Sequence, residues 1–106
     1  MKLGIIIYSN DAETVWSAFR FANFSLEEGG AVRIFLLAKG VEYESLGSEK
    51  FNIGEQSKSF MENGGRIFAC GTCLESRESE GSEMCPISTM KDLYELVEES
   101  DKVVSF

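Results

Sequence analysis

Three short apolar runs, separated by amphipathic stretches, decide what this chain can fold into. Leu3 to Tyr8 and Val32 to Ala38 are nearly continuous in aliphatic and aromatic residues, the second broken only by Arg33; Arg66 to Cys70 is the third. Apolar runs without polar alternation are the mark of strands covered on both faces of a parallel sheet. Between the first two runs, Val15, Phe19, Ala22 and Leu26 recur at helical spacing, and Gly29-Gly30 supplies a stop. A second helix is predicted from Asn52 to Gly64-Gly65, with a thin stripe of Ile53, Phe60 and Met61. Asn10 with Glu13, and Asn52 with Glu55, have capping-box spacing. Past the third run, Glu75 to Glu83 is polar and acidic, with room for a short helix. Cys85-Pro86-Ile87 reads as a brief strand, confined by Pro86 to an edge or a strand start. Ser88 or Thr89 caps a last helix whose Met90, Leu93, Tyr94 and Val97 form an i, i+3, i+4, i+7 face, and Lys102-Val103-Val104 is a final strand. Strands alternating with helices predict one α/β domain over residues 1–106. It is a three-layer sandwich around a mainly parallel sheet of four to five strands, in a flavodoxin-like arrangement with right-handed crossovers.

Charge and composition narrow the function. The formal net charge is −8, from 18 acids against 10 bases, which disfavours direct nucleic-acid binding and repels anionic membrane surfaces. The opening apolar run is too short for a signal peptide and is followed by polar Ser9-Asn10-Asp11, and no stretch approaches the roughly 20 apolar residues of a membrane span. Three cysteines are an odd number, at variance with a secreted disulfide framework, so a cytoplasmic chain with reduced thiols is expected. The absence of histidine removes Ser-His-Asp and Cys-His nucleophile activation and any imidazole acid–base step.

What remains is Cys70-Gly71-Thr72-Cys73, two thiols three residues apart at the end of a strand. In α/β sheets, ligands and chemistry gather at the carboxyl ends of strands. Ser9-Asn10-Asp11 follows another such end, so these residues and Gly71-Thr72 are predicted to line a substrate or partner crevice. A CxxC pair serves as a disulfide, a metal clip, a sulfur relay or simply as two small core residues. Gly71 and Thr72 resemble a turn more than core. In the functional reading Cys70 is the nucleophile, its thiolate favoured by a following helix N-terminus and by Arg77 or Arg66, with Glu75, Glu78, Glu80 and Glu83 opposing if they point inward.

Other uses of the pair fit less well. Thioredoxin-type enzymes place the motif after an early strand and set a later proline against the thiols, whereas Pro86 lies close behind this motif. Cys70, Cys73 and Cys85 give three thiolates where a structural zinc wants four ligands, so no metal is expected. Cys85 reads as structural, with a resolving-thiol role open. The loop after the first strand lacks glycine and carries two acids, and no GxGxxG or GxxxxGK[ST] occurs, so no flavin or nucleotide cofactor is expected.

The chain also resembles the DsrE/DsrF-like superfamily nearly end to end, close in pattern to its TusD-type sulfur-relay subunits. The resemblance is carried by Met1-Lys2-Leu3-Gly4-Ile5-Ile6-Ile7, Phe19-Arg20-Phe21-Ala22, Phe35-Leu36-Leu37-Ala38-Lys39-Gly40-Val41 and the ending Ser100-Asp101-Lys102-Val103-Val104-Ser105-Phe106. In those proteins an active cysteine ends a strand and an arginine follows seven positions later, the relation of Cys70 to Arg77. Glu78 stands where the family often has glycine, Cys73 is an addition, and the segment after Arg77 is shorter. The resemblance implies an intracellular sulfur carrier that holds sulfane sulfur as a persulfide on Cys70 between donor and acceptor proteins. It also implies assembly as a homo-oligomer, a trimer or hexamer. Two other functions stay open on the residues themselves: a dithiol–disulfide redox protein using Cys70 and Cys73, and a non-catalytic oligomeric binding module.

Overall fold

The computed structural model describes residues 1–77 and 87–106. Five strands, β1 (Lys2–Ile7), β2 (Ala31–Leu36), β3 (Arg66–Cys70), β4 (Ile87–Ser88) and β5 (Lys102–Ser105), form one sheet in the order β4-β3-β2-β1-β5. Every pairing is parallel, so the mainly parallel sheet expected from the sequence is wholly parallel among the described residues. Helices α1 (Ala12–Glu27) and α2 (Ile53–Glu62) connect β1 to β2 and β2 to β3. A five-residue helix, α3 (Gly71–Glu75), follows β3 directly, and α4 (Met90–Glu99) leads from β4 to β5 at the opposite sheet edge. Because β1 to β4 advance one way and β5 returns, right-handed crossovers put α1 and α2 on one face and α4 on the other. Among the described residues, no helix is long and apolar enough to cross a membrane.

The register explains the apolar runs. Residues paired across parallel strands share a face, so Leu3, Ile5 and Ile7 stand beside Val32, Ile34 and Leu36, and then Ile67 and Ala69. All are buried, together with Val15, Ala18, Phe19 and Ala22 of α1 and Ile53 and Phe60 of α2. On the other face Gly4 admits α4: a Cβ there would lie 2.5 Å from Leu96 Cδ2 and 2.7 Å from Ser100 Oγ.

Local predictions need three corrections, and one further element, a 3₁₀ segment, joins them. The cap of α1 is Asp11, not Asn10: its carboxylate accepts from the Thr14 N–H at 3.0 Å and the Thr14 hydroxyl at 2.8 Å, which the longer reach to Glu13 does not match. A helix runs from Gly71 to Glu75, so Gly71 and Thr72 are its first turn and not a free turn, while most of the segment from Glu75 to Glu83, where a short helix was expected, lies outside the described residues. The loop after β2 is partly ordered as a 3₁₀ segment, Ala38–Ser45. In α4 the predicted apolar face is divided. Leu96 is buried and Leu93 half-buried against the core, whereas Met90, Tyr94 and Val97 are exposed. Other expectations stand: Asn52 caps α2 by accepting from the Glu55 N–H, and Thr89 with Asp92 forms the capping box of α4. β4 begins at Ile87; Cys85 and Pro86 lie outside the described residues.

Candidate functional site

Cys70 is the last residue of β3 and the cap of α3, and it is 2% exposed. Cys73 lies within the same helix, is half-buried, and shares a hydrogen bond with the Cys70 side chain. Both are free thiols. Gly71 is required by packing, since a Cβ there would meet Ile87 Cγ2 at 2.8 Å, while Thr72 is exposed. Five residues generate too small a dipole to be the chief support of a thiolate, so the predicted helix-terminus effect does not carry the site.

The 3₁₀ segment contacts the pair at Cys73. The Ala38 N–H points at Cys73 Sγ, 3.2 Å away, and Ala38 holds a left-handed backbone with φ of 52°. Burial pushes the Cys73 thiol up from its usual 9.0, with further upward pushes from the hydrogen bond and charge of Cys70. The Ala38 N–H and the Arg77 charge act the other way. The Cys73 thiol therefore stays protonated to higher pH than an ordinary cysteine, in hydrogen-bond contact with the Cys70 side chain.

Arg77 lies just past the end of α3, within reach of the Cys73 charge. Its Nε donates to Glu42 Oε2 at 2.7 Å, and its Nη1 donates to the Cys73 carbonyl at 3.0 Å and to Ser76 Oγ at 3.2 Å. The guanidinium thus clamps the end of α3 to the 3₁₀ segment and adds charge near Cys73. Glu42 is the residue that sequence reasoning missed. Its carboxyl is held below the usual 4.5, first by the Arg77 hydrogen bond, against partial burial, and further by the Asn10 side chain and the charges of Arg77 and Lys39. Asn10, Glu42, Arg77 and Cys73 are therefore one connected chain, joining the loop after β1 to the thiols. The two predicted sides of the crevice meet through Glu42, although the strand between them, β2, keeps their parent strands apart.

The other predicted residues divide. Ser9 accepts from the Asp11 N–H at 3.0 Å, and Asp11 is occupied as the α1 cap, so both shape the loop that presents Asn10. Arg66 is at the far end of β3, its guanidinium carbon 5.3 Å from the Phe68 ring centroid, and it does not support the thiols. Glu75 is exposed. Glu78, Glu80, Glu83 and Cys85 lie outside the described residues, so the three-thiolate set and the resolving role of Cys85 do too.

The model of the DsrE/DsrF-like family matches residues 1–106. The chain belongs to the DsrE/DsrF-like family. It is 41% identical over 114 residues to the uncharacterized protein MJ0989 of Methanocaldococcus jannaschii, covering all of both chains. It is 37% identical over 100 residues to the uncharacterized protein MK0008 of Methanopyrus kandleri, covering 89% of this chain and 83% of that one. Among solved structures, the ychN protein from E. coli superposes with a TM-score of 0.82 at 21% identity over all of both chains. The protein BT1422 from Bacteroides thetaiotaomicron does so with 0.78 at 19% identity, covering 99% and 94%. At those identities the two structures speak to the fold, which they share with this DsrE-like domain.

Proposed function

We propose that this protein is a sulfur carrier in which Cys70 accepts sulfane sulfur as a persulfide. The observation that carries the reading is the contact between the two thiols at the carboxyl end of β3, with the Ala38 N–H donated to Cys73 Sγ at 3.2 Å. The Cys70 thiolate attacks the outer sulfur of a donor persulfide, R–S–SH. The S–S bond of the donor breaks, R–S⁻ leaves with the electron pair, and Cys70–S–SH forms. An acceptor thiolate then attacks the same outer sulfur and restores Cys70. Cys73 offers a second exit. Its thiolate attacks Cys70 Sγ, expels HS⁻ and leaves a Cys70–Cys73 disulfide, which an external dithiol must reduce before the next turn. No resident metal or nucleotide enters either route.

Arg77 is a positioning residue in this scheme, holding α3 against the 3₁₀ segment. The donor and acceptor are proteins, the setting is the cytoplasm, and the family resemblance supports a homo-oligomeric assembly, trimeric or hexameric. Exposed Met90, Tyr94 and Val97 on α4 suit such contacts.

Loading the protein from a persulfidated donor, followed by alkylation and mass spectrometry, tests the proposal. A mass gain of one sulfur at Cys70 is expected, persisting longer in Cys73→Ser than in the wild type. Unimpaired loading in Cys70→Ser overturns the assignment to Cys70. Rapid formation of a Cys70–Cys73 disulfide with a potential near that of cytosolic dithiols, and no persulfide under any condition, favours the dithiol redox reading that the thiol contact also allows.

A further inference from the structure

The amino edge of the sheet, at the other end of β3 from the thiols and about 13 Å from them at 3.3 Å per residue, carries an arrangement that sulfur chemistry does not use. Arg33 of β2 and Arg66 of β3 are direct register partners and therefore lie on the same face of the sheet, side by side. Lys2 of β1 belongs to the same face by alternation, being two residues before Gly4, the partner of Arg33. All three line a cleft of about 230 Å³, together with Gly64, Glu99 and Ser100.

Like charges directly opposite on neighbouring strands repel, so an arginine pair in register needs something to hold it. Glu99 partly does so: its carboxylate accepts from Arg33 Nη1 at 3.1 Å and is itself half in water. Arg66 is exposed and forms no ion pair with any described carboxylate; its guanidinium rests on the Phe68 ring. Asp101, next to the cleft, accepts from the Lys2 backbone N–H at 2.7 Å. The lining thus gathers three cations against one carboxylate, in a chain whose net charge is −8. In a molecule with so many acids to hand, this positive charge is only partly neutralised by the described carboxylates.

We propose that Lys2, Arg33 and Arg66 form a binding site for a small tetrahedral oxyanion of the phosphate or sulfate class. Two guanidinium forks side by side present paired N–H donors to such an ion, and the Lys2 ammonium adds a third charge. The cleft has room for a small ion together with bridging water, and the acidic remainder of the chain repels an extended polyanion. Gly64, with φ of 96°, turns the chain at the cleft wall and leaves no side chain between Arg66 and the opening.

The experiment is a titration of the full chain with inorganic phosphate and, separately, sulfate. Chloride holds ionic strength constant, and arginine Nε–H and backbone amide resonances are followed. Saturable shifts at Arg33, Arg66 and Lys2 are expected, with the tighter anion identifying the source. Arg66→Gln should weaken binding by about tenfold, as loss of a charge-assisted contact does. Lys39→Gln, which removes the same charge at the opposite sheet edge, should leave affinity unchanged. Arg66 is exposed, so an unaltered urea midpoint verifies that its variant folds. Shifts that grow linearly without saturation overturn the proposal. So does an affinity that is the same in Arg66→Gln, or one that falls equally in Lys39→Gln.

Discussion

The backbone N–H of Ala38 donates to Cys73 Sγ at 3.2 Å from a left-handed residue, and Ala38 is the one non-glycine with positive φ among the described residues. An L-residue pays roughly 1–2 kcal/mol for that conformation, and strain held at a reactive group indicates a conformation kept for its contact. Ala38→Gly keeps the N–H and relieves the strain, while adding about 0.4–1 kcal/mol of unfolded-chain entropy. Stability should therefore change by under about 1 kcal/mol, in the favourable direction. Ala38→Val should lower it by about 1–2 kcal/mol, because a branched Cβ suits this region poorly. Urea midpoints of the two variants check both.

The raised Cys73 thiol makes a second prediction. The thiolate is what alkylates, and the Cys73 thiol is pushed above its usual 9.0, so its iodoacetamide rate should still be climbing above pH 9 in the wild type. Cys70→Ser removes the charge of Cys70 and replaces its sulfur, which are two of the causes raising Cys73. The midpoint of the rate profile should then fall. A profile that stays in place would show that Cys70 does not raise the Cys73 thiol.

Glu42 and Arg77 predict an acid sensitivity of known sign. The Glu42 carboxyl is lowered in the folded state, so its contribution is fully present above the ordinary value of 4.5 and is lost as pH falls through the lower folded value. Glu42→Gln removes the titration, so its urea midpoint should be lower than that of the wild type at pH 7 and should approach it as pH falls below 4.5. Persulfide loading of Cys70 in the same variant should slow, since α3 loses its clamp to the 3₁₀ segment.

Gly40 fixes where that segment lies. A Cβ at this position would collide with the carbonyl oxygen of Ile7, a backbone atom at the end of a central strand that has little room to yield. Gly40→Ala should cost about 1–3 kcal/mol as an overpacking change, and thermal or urea unfolding measures it. Because Ala38 and Glu42 flank Gly40, the variant should also speed alkylation of Cys73.

How far the sequence reveals these features depends on whether local or tertiary contacts produce them. Strands β1 to β3 and helices α1 and α2 were legible, because their apolar spacing is a property of the segment itself. The Cys70–Arg77 spacing was legible too, and the Arg77 charge does act on Cys73, but its clamp on the 3₁₀ segment was not legible. Its guanidinium turns to Glu42, 35 positions away, and no local pattern in Lys39-Gly40-Val41-Glu42 announces a 3₁₀ segment lying over the thiols. Ala38 was hidden for the same reason, reading as the end of a strand while its backbone turns left-handed. In α4 the error has a different cause. Counting i, i+3, i+4, i+7 from Met90 finds a regular stripe but omits Leu96, and the helix rests on Leu93 and Leu96 instead.

That misplaced stripe leads to the last prediction. Met90, Tyr94 and Val97 are 58%, 66% and 46% exposed, aligned on one side of a helix whose core contacts are made by other residues. They bury little within the subunit, so Tyr94→Glu should leave the unfolding of the isolated chain within about 0.5 kcal/mol of the wild type. The proposed homo-oligomer, if it packs through α4, would bury a carboxylate against apolar neighbours at each contact, a change that weakens association strongly. Sedimentation velocity across a protein dilution series separates the effects. The expected result is an assembled wild type and a variant shifted to smaller species with unchanged circular dichroism. Identical distributions for the two proteins would place the subunit contacts on another surface, with the exposed Phe21 and Phe24 of α1 the next to be charged.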